Sequence, residues 1–441
     1  MWRSESKGTK RCEWRGGAEE MRIRFLGGCG EVGRSAVLID DKILLDYGVR
    51  PADPPEMPMF SRQIAKSLEA VIVSHAHLDH SGMIPSLMNC NNNGLKLFMT
   101  PVTCDIAKIL WRDTIKLGEE HGIHLFNGED VHKVVKNAHF LPFRKRFSVN
   151  GYECELFNAG HIPGSAAVHL WKESEDISLL YTGDIKMEET RLLESASPDE
   201  LPHADILIVE STYFGTEHKN RRELEREFVD SVQETIDRGG HAIVPCFAVG
   251  RTQEIVMVLH AHGIIPFVDG LGISVFKMLE HHPSFLKDAS ALAAAFKEAK
   301  FVSGKKRKKV LSQPSVVVTT AGMLNGGPVL YYLRKLHDDP RSKVLLTGYQ
   351  IEGTNGRRLL EEKCVETESG PLKVKAEVEQ YDFSAHAGDS ELKRLVSRFC
   401  RRGTEVVFTM HGENAAEFAD WIREQGCEAF APENGQEYII E

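Results

Sequence analysis

Residues 71–80 read VIVSHAHLDH, and this stretch constrains the chain more than any other. Val71, Ile72, Val73 and Ser74 form a brief β-branched run without helical period, the pattern of a strand covered on both faces. At its end His75, His77, Asp79 and His80 crowd into six residues. An isolated histidine is usually a packed or surface residue, but four ligand-type groups at one strand end point to a metal. Imidazole nitrogen and carboxylate oxygen suit zinc, and a catalytic site must leave a position open for water. One loop cannot complete two such sites, so partners have to come from elsewhere in the chain.

The same pattern recurs. Asp46 closes the strand KILLD before a Tyr47-Gly48 turn, where it is either a turn aspartate or an outer acceptor that orients a metal-binding imidazole. His161 follows the strand YECELFNA between Gly160 and Pro163-Gly164, and Asp184 follows ISLLY behind a glycine. Near the C-terminus His386 precedes a helix in YDFSAHAGDSEL, and His411 stands where the strand TEVVFTM meets a helix.

Other signals exclude whole classes of function. Gly28-x-Gly30-x-x-Gly33, with Asp53 downstream, matches a dinucleotide fingerprint, but two strands follow the glycines where the fingerprint needs a helix. Nine scattered cysteines without a C-x-x-C pair argue for reduced thiols in a cytoplasmic setting. No apolar run approaches a membrane span, and residues 1–20 lack the apolar centre of a signal peptide; they read as a tail, with the fold starting at Met21. The net charge of −10 means that a nucleic acid must be held by local positive features. GKKRKK at 304–309 is one such feature, or else a solvated loop, and FRKR (143–146) and FCRR (399–402) are weaker ones.

From about Ala204 strands alternate with helices, which predicts a parallel, doubly wound sheet distinct from what precedes it. This block fits between Asp184 and His386 and reads as an insertion between pieces of one site. Its small-residue turns, STYFG, FAVGRT and AGMLNGGP, offer backbone amides of the kind that cradle phosphates.

Taken together, HAHLDH, AGHIPGS around His161, YTGD at Asp184, VEST at Glu210, FSAHAGD at His386 and MHGE at His411 resemble the metallo-β-lactamase fold carrying a β-CASP insertion. GGCGEVGRS, FAVGRTQE, TTAGMLNGGP and TGYQIEGTNGR follow in family order. The chain is most similar to short archaeal homologues, without KH domains, of the endonuclease subunit of the mRNA 3′-end cleavage and polyadenylation factor. The resemblance implies an αββα sandwich with an inserted β-CASP domain. The boundaries it implies are a tail at 1–20, a metallo-β-lactamase part at 21–209, the β-CASP domain at 210–382 and a closing part at 383–441.

It further implies two Zn²⁺ per chain, with Mn²⁺ as an alternative: one held by His75, His77, His161 and Asp184, the other by Asp79, His80, Asp184 and His411. Two such cations outweigh both carboxylates and a hydroxide, so the site attracts phosphate in an acidic protein. His386 is implied as general acid, with Glu210 orienting it and favouring its protonated form. Arg251, Ser384, Gly326 and Gly327 are candidates for substrate phosphate contacts.

The expected activity is zinc-dependent hydrolysis of single-stranded RNA in 3′-end processing or turnover, internal, 5′-to-3′ or both, in the cytoplasm, by a homodimer or with other RNA-processing proteins. The alternatives are a DNA-acting β-CASP nuclease, whose branch typically carries Val where His411 stands, and a non-catalytic scaffold subunit. Every ligand type is present, which weighs against the scaffold. The long insertion weighs against a small-molecule hydrolase.

Overall fold

Short apolar runs, apolar on both faces, form the central strands: Ala70–Ile72, Ile177–Tyr181, Ile206–Glu210 and Val406–Met410 are buried at every residue. The computed structural model describes residues 3–6, 9–12, 20–50, 52, 54–90, 94–174 and 176–440; Asp53 lies outside them. The chain divides into two units. One comprises residues 1–188, 195–217 and 386–441, the other 189–194 and 218–385.

Among the described residues the first unit holds two mixed sheets, of nine and seven strands. Their inner faces share one core, in which Ile23, Phe25, Val37 and Ile72 join Leu156, Val168, Leu179, Ile208 and Phe408. On the outer face of the seven-stranded sheet, Leu180, Leu207 and Val209 are covered by Leu392, Val396 and Phe399 of the helix Asp389–Arg401 and by Phe418 and Ile422 of the helix Ala415–Glu424. Helices Pro101–His121 and Gly128–Asn137 flank the other sheet, and Trp111 Nε1 donates to the Ser81 carbonyl at 3.1 Å. The αββα sandwich is thus present.

Two details differ from the sequence reading. Residues 1–20 do more than trail as a tail: strands Arg3–Ser6 and Thr9–Cys12 extend the nine-stranded sheet, the second pairing in parallel with Glu437–Ile440. Strand Ile206–Glu210, all but its last residue within the expected 21–209 part, pairs in parallel with Ile177–Tyr181 and Val406–Met410 and belongs to the first unit, so the alternation from about Ala204 starts one strand before the second unit. Parallel pairing gives these three strands a common C-terminal edge, and it is this edge that gathers Asp184, Glu210 and His411.

In the second unit the expected doubly wound sheet is present. Its order is Lys300–Val302, Phe267–Asp269, Val316–Thr319, Ala242–Pro245, Lys343–Leu346, Glu377–Gln380, and every described pairing is parallel. Residues 189–194 are tied into it by Glu254, which accepts from the amides of Arg191 (3.0 Å) and Leu192 (2.9 Å) and from Arg221 Nη2 (2.8 Å).

Candidate metal centre

The loop after Ala70–Ile72 turns at Ser74 and enters a one-turn helix at Leu78. This aims His75, His77, Asp79 and His80 at the edge where Asp184, Glu210 and His411 emerge. The four residues 75–80, His161, Asp184 and His411 all come together. Ligand-capable atoms of His75, His77, His161 and Asp184 lie within 4.8 Å of one another, as do those of His80, Asp184 and His411, those of His75, Asp79 and His80, and those of Asp184, Glu210 and His386.

Asp184 sits in the middle. Its Oδ2 is 3.4 Å from His75 Nε2 and 3.5 Å from His161 Nε2, while Oδ1 is 3.2 Å from His80 Nε2 and 3.5 Å from His411 Nε2. His77 Nδ1 and His161 Nε2 face each other at 3.0 Å, and Asp79 Oδ2 lies 3.7 Å from His411 Nε2. The Nε2 atoms of His75, His80 and His411 and Asp184 Oδ1 are buried without a hydrogen-bond partner. Buried polar atoms ordinarily find partners, so a converging set of lone pairs left over is the donor arrangement that a cation completes.

The far ring nitrogens are fixed by neighbours. Asp46, in the left-handed region at φ 59°, accepts from His80 Nδ1 (2.7 Å), Ser74 N (2.7 Å), Ser74 Oγ (2.6 Å) and the Tyr181 hydroxyl (2.8 Å). Ser74 spends its proton on Asp46, so its oxygen accepts from His75 Nδ1 at 3.0 Å. Both imidazoles are thereby held with Nδ1 on these partners and Nε2 turned inward. Ser35 Oγ stands 2.8 Å from His411 Nδ1, and the Gly28 carbonyl accepts from His411 N at 2.6 Å. GGCGEVGRS therefore supports a ligand-type residue, and no helix starts at its glycines. Sequence reasoning missed Ser35, Ser74 and Tyr181. Only their adjacency to HAHLDH, GGCG and TGD could have marked them.

Burial, then the neighbouring charge of His80, pushes His75 well below the ordinary imidazole range, and burial lowers His77. Burial also opposes a charge on His80, but Asp184 and Asp46 outweigh it and hold that ring well above. His386 is similar: burial lowers it, Glu210 and then Asp184 more than compensate, and it rises to about 9. His386 Nδ1 lies 2.9–3.0 Å from both Glu210 oxygens, and its Nε2 is 3.9 Å from Asp184 Oδ2.

The remaining candidates belong to the second unit. Arg251 is buried, with Nη1 donating to the Thr347 carbonyl at 2.8 Å. Ser384 is buried, Gly326 has open space where a Cβ would stand, and Gly327 has φ +75°. In the basic run, Arg307 turns inward to Asp269 at 2.7 and 3.2 Å, so the patch is weaker than its composition implies.

Comparison with known proteins agrees with this architecture. Family models match residues 252–359 (Beta-Casp domain), 371–432 (Zn-dependent metallo-hydrolase RNA specificity domain) and 37–235 (Anti-Pycsar protein Apyc1). A "Probable RNase MJ4" of Methanocaldococcus jannaschii is 36% identical over 95% of this chain and 100% of its own length. The chain belongs to the β-CASP ribonuclease family. This β-CASP chain is also 34% identical to "RNase aCSPSF2" of Saccharolobus solfataricus, over 95% of itself and 85% of that protein. A "Transcription termination factor FttA" of M. jannaschii is 33% identical, with 91% of this chain covering 69% of the longer relative. Among solved structures, a protein of unknown function from Enterococcus faecalis V583 has a TM-score of 0.61 at 15% identity, covering 96% of this chain and 100% of that one, which shows the fold.

Proposed function

We propose that this chain is a metal-dependent ribonuclease that hydrolyses phosphodiester bonds of single-stranded RNA at a centre of two divalent cations, zinc by preference and manganese as a substitute. The observation that carries this reading is Asp184, whose two oxygens face two different sets of imidazoles. His75, His77, His161 and Asp184 would hold one cation, and Asp79, His80, Asp184 and His411 the other. Such a pair, when bound, would supply Lewis-acid charge for the phosphate and lower the pKa of water towards neutral.

The chain's own residues do the rest. Asp46 and Ser74 keep the Nδ1 protons of His80 and His75 in place and the opposite lone pairs turned inward. Glu210 holds His386 by Nδ1, which leaves Nε2 facing the Asp184 side to give its proton to the departing 3′ oxygen. The products are a 5′-phosphate and a 3′-hydroxyl. Arg251, Ser384 and the Gly326-Gly327 turn are assigned to phosphate contacts. The eight cysteines from Cys29 to Cys427 are free thiols, which supports a cytoplasmic site of action.

Linear 5′-monophosphate, linear 5′-triphosphate and circular RNAs, with and without a chelator, test the reading. Cleaved circles establish internal cutting, and a strong monophosphate requirement establishes 5′ exonuclease action. RNA cleavage that survived both chelation and His386→Ala would overturn the proposal.

A further inference from the structure

The loop bearing Asp184 and the loop bearing His386 are joined by a salt bridge that the chemistry above does not use. Lys186 is 2% exposed, and its Nζ lies 3.2 Å from Glu391 Oε2 and 3.6 Å from Glu188 Oε2. Burying an ammonium for packing alone is unfavourable where an apolar chain of similar length would fill the space. The lysine is also clamped by its backbone, donating from N to the Ala159 carbonyl (2.9 Å) and accepting from Ala196 N (2.8 Å).

Its partner is equally fixed. Glu391 is the third residue of the helix Asp389–Arg401, and Oε2, the oxygen that meets Lys186, also accepts from Gly388 N at 3.0 Å. Gly388 caps that helix without a side chain to offer, so Glu391 supplies the capping acceptor for the backbone just after His386, beside Asp389 N on the Thr216 carbonyl (3.0 Å), Gly215 N on Asp389 Oδ1 (2.9 Å) and Ser390 N on Glu217 Oε1 (3.0 Å). Two further bonds complete the tie: Ala387 N donates to the Ile185 carbonyl at 2.7 Å, and Ile185 N donates to Glu210 Oε1 at 2.7 Å, the carboxylate that holds His386.

We infer that Lys186 and Glu391 are positioning residues that set where His386 Nε2 stands relative to Asp184, and hence the proton path to the leaving oxygen. The inference rests on the reading of His386 as general acid. Loss of the pair leaves the ligand set intact, because neither side chain is a metal donor in this arrangement, but lets the acid drift from its station.

A substrate that needs no acid separates positioning from general damage. From a p-nitrophenyl phosphodiester the p-nitrophenolate departs without protonation, whereas the 3′ oxygen of RNA does not. Glu391→Gln keeps an oxygen for Gly388 N and loses the charge that Lys186 pairs with; Lys186→Met removes the ammonium at similar length. With metal content measured by mass spectrometry, each variant should lose about tenfold or more in kcat on RNA and less than about threefold on the p-nitrophenyl ester, and Lys186→Arg should retain RNA activity. His386→Asn is the reference and should show the same selectivity more strongly. If the reference is selective while Glu391→Gln loses both substrates equally, or neither, the positioning role is wrong and the general acid stands. If His386→Asn loses both equally, the general-acid reading fails and this inference fails with it.

Discussion

At the scale of single residues, the site is a problem of leftover lone pairs. Asp184→Asn removes the charge that addresses both sets of imidazoles, and we expect bound metal to fall by at least about half, as read by elemental analysis of the purified protein. Undiminished metal content would rule out Asp184 as the bridge. Asp46 touches no cation in the proposed arrangement, yet it fixes the His80 tautomer. Asp46→Asn should weaken metal binding by about 10- to 100-fold in a chelator competition, since an amide can present its NH₂ to Nδ1 and reverse the ring's protonation. Removing His386 should leave metal affinity unchanged while RNA turnover drops by about 10²- to 10⁴-fold.

Among elements, close backbone approaches and buried charges set the tolerances. A Cβ on Gly48 would stand 1.7 Å from the Asp79 carbonyl oxygen and 2.8 Å from His80 N, both backbone atoms that cannot rotate away. Gly48→Ala should therefore displace the loop carrying Asp79 and His80, costing about 1–3 kcal/mol in denaturant unfolding and reducing metal affinity together. In the second unit, burial alone would raise the Glu254 carboxyl, but Arg221 and the amides of Arg191 and Leu192 outweigh it and hold its pKa below the ordinary value. A carboxyl depressed in the folded state adds stability above its unfolded pKa, and that stability is lost as pH falls through the folded one. Glu254→Gln should thus lower stability near neutral pH and flatten the decline below about pH 4.5; an unchanged acid slope would show that Glu254 is not the group responsible.

Across the whole molecule, every proposed ligand belongs to residues 1–188, 195–217 and 386–441, while the other unit has its own core of Ile243, Val317, Tyr332, Leu333 and Val344. Ligand binding stabilises only the native form that binds. Calorimetry with and without a chelator should accordingly show one transition moving and one staying, and a uniform shift would mean that the units unfold together. The local part of this architecture was legible in the chain itself. Alternation of strands and helices foretold the parallel sheet, and ligand-type residues at the ends of apolar strands marked Asp46, His161, Asp184 and His411 as candidates, with His386 marked by its place just before a helix; the structure brings these side chains to one place. Lys186 and Glu391, 205 positions apart, carried no such signal, and neither did Ser35 beside His411. Sequence determined which residues carry donors and which segments alternate, since both follow from side-chain chemistry and period. Tertiary structure alone decided which lone pairs converge and which remain unpaired, because parallel pairing of Ile177–Tyr181, Ile206–Glu210 and Val406–Met410 depends on strands far apart in the chain finding one register.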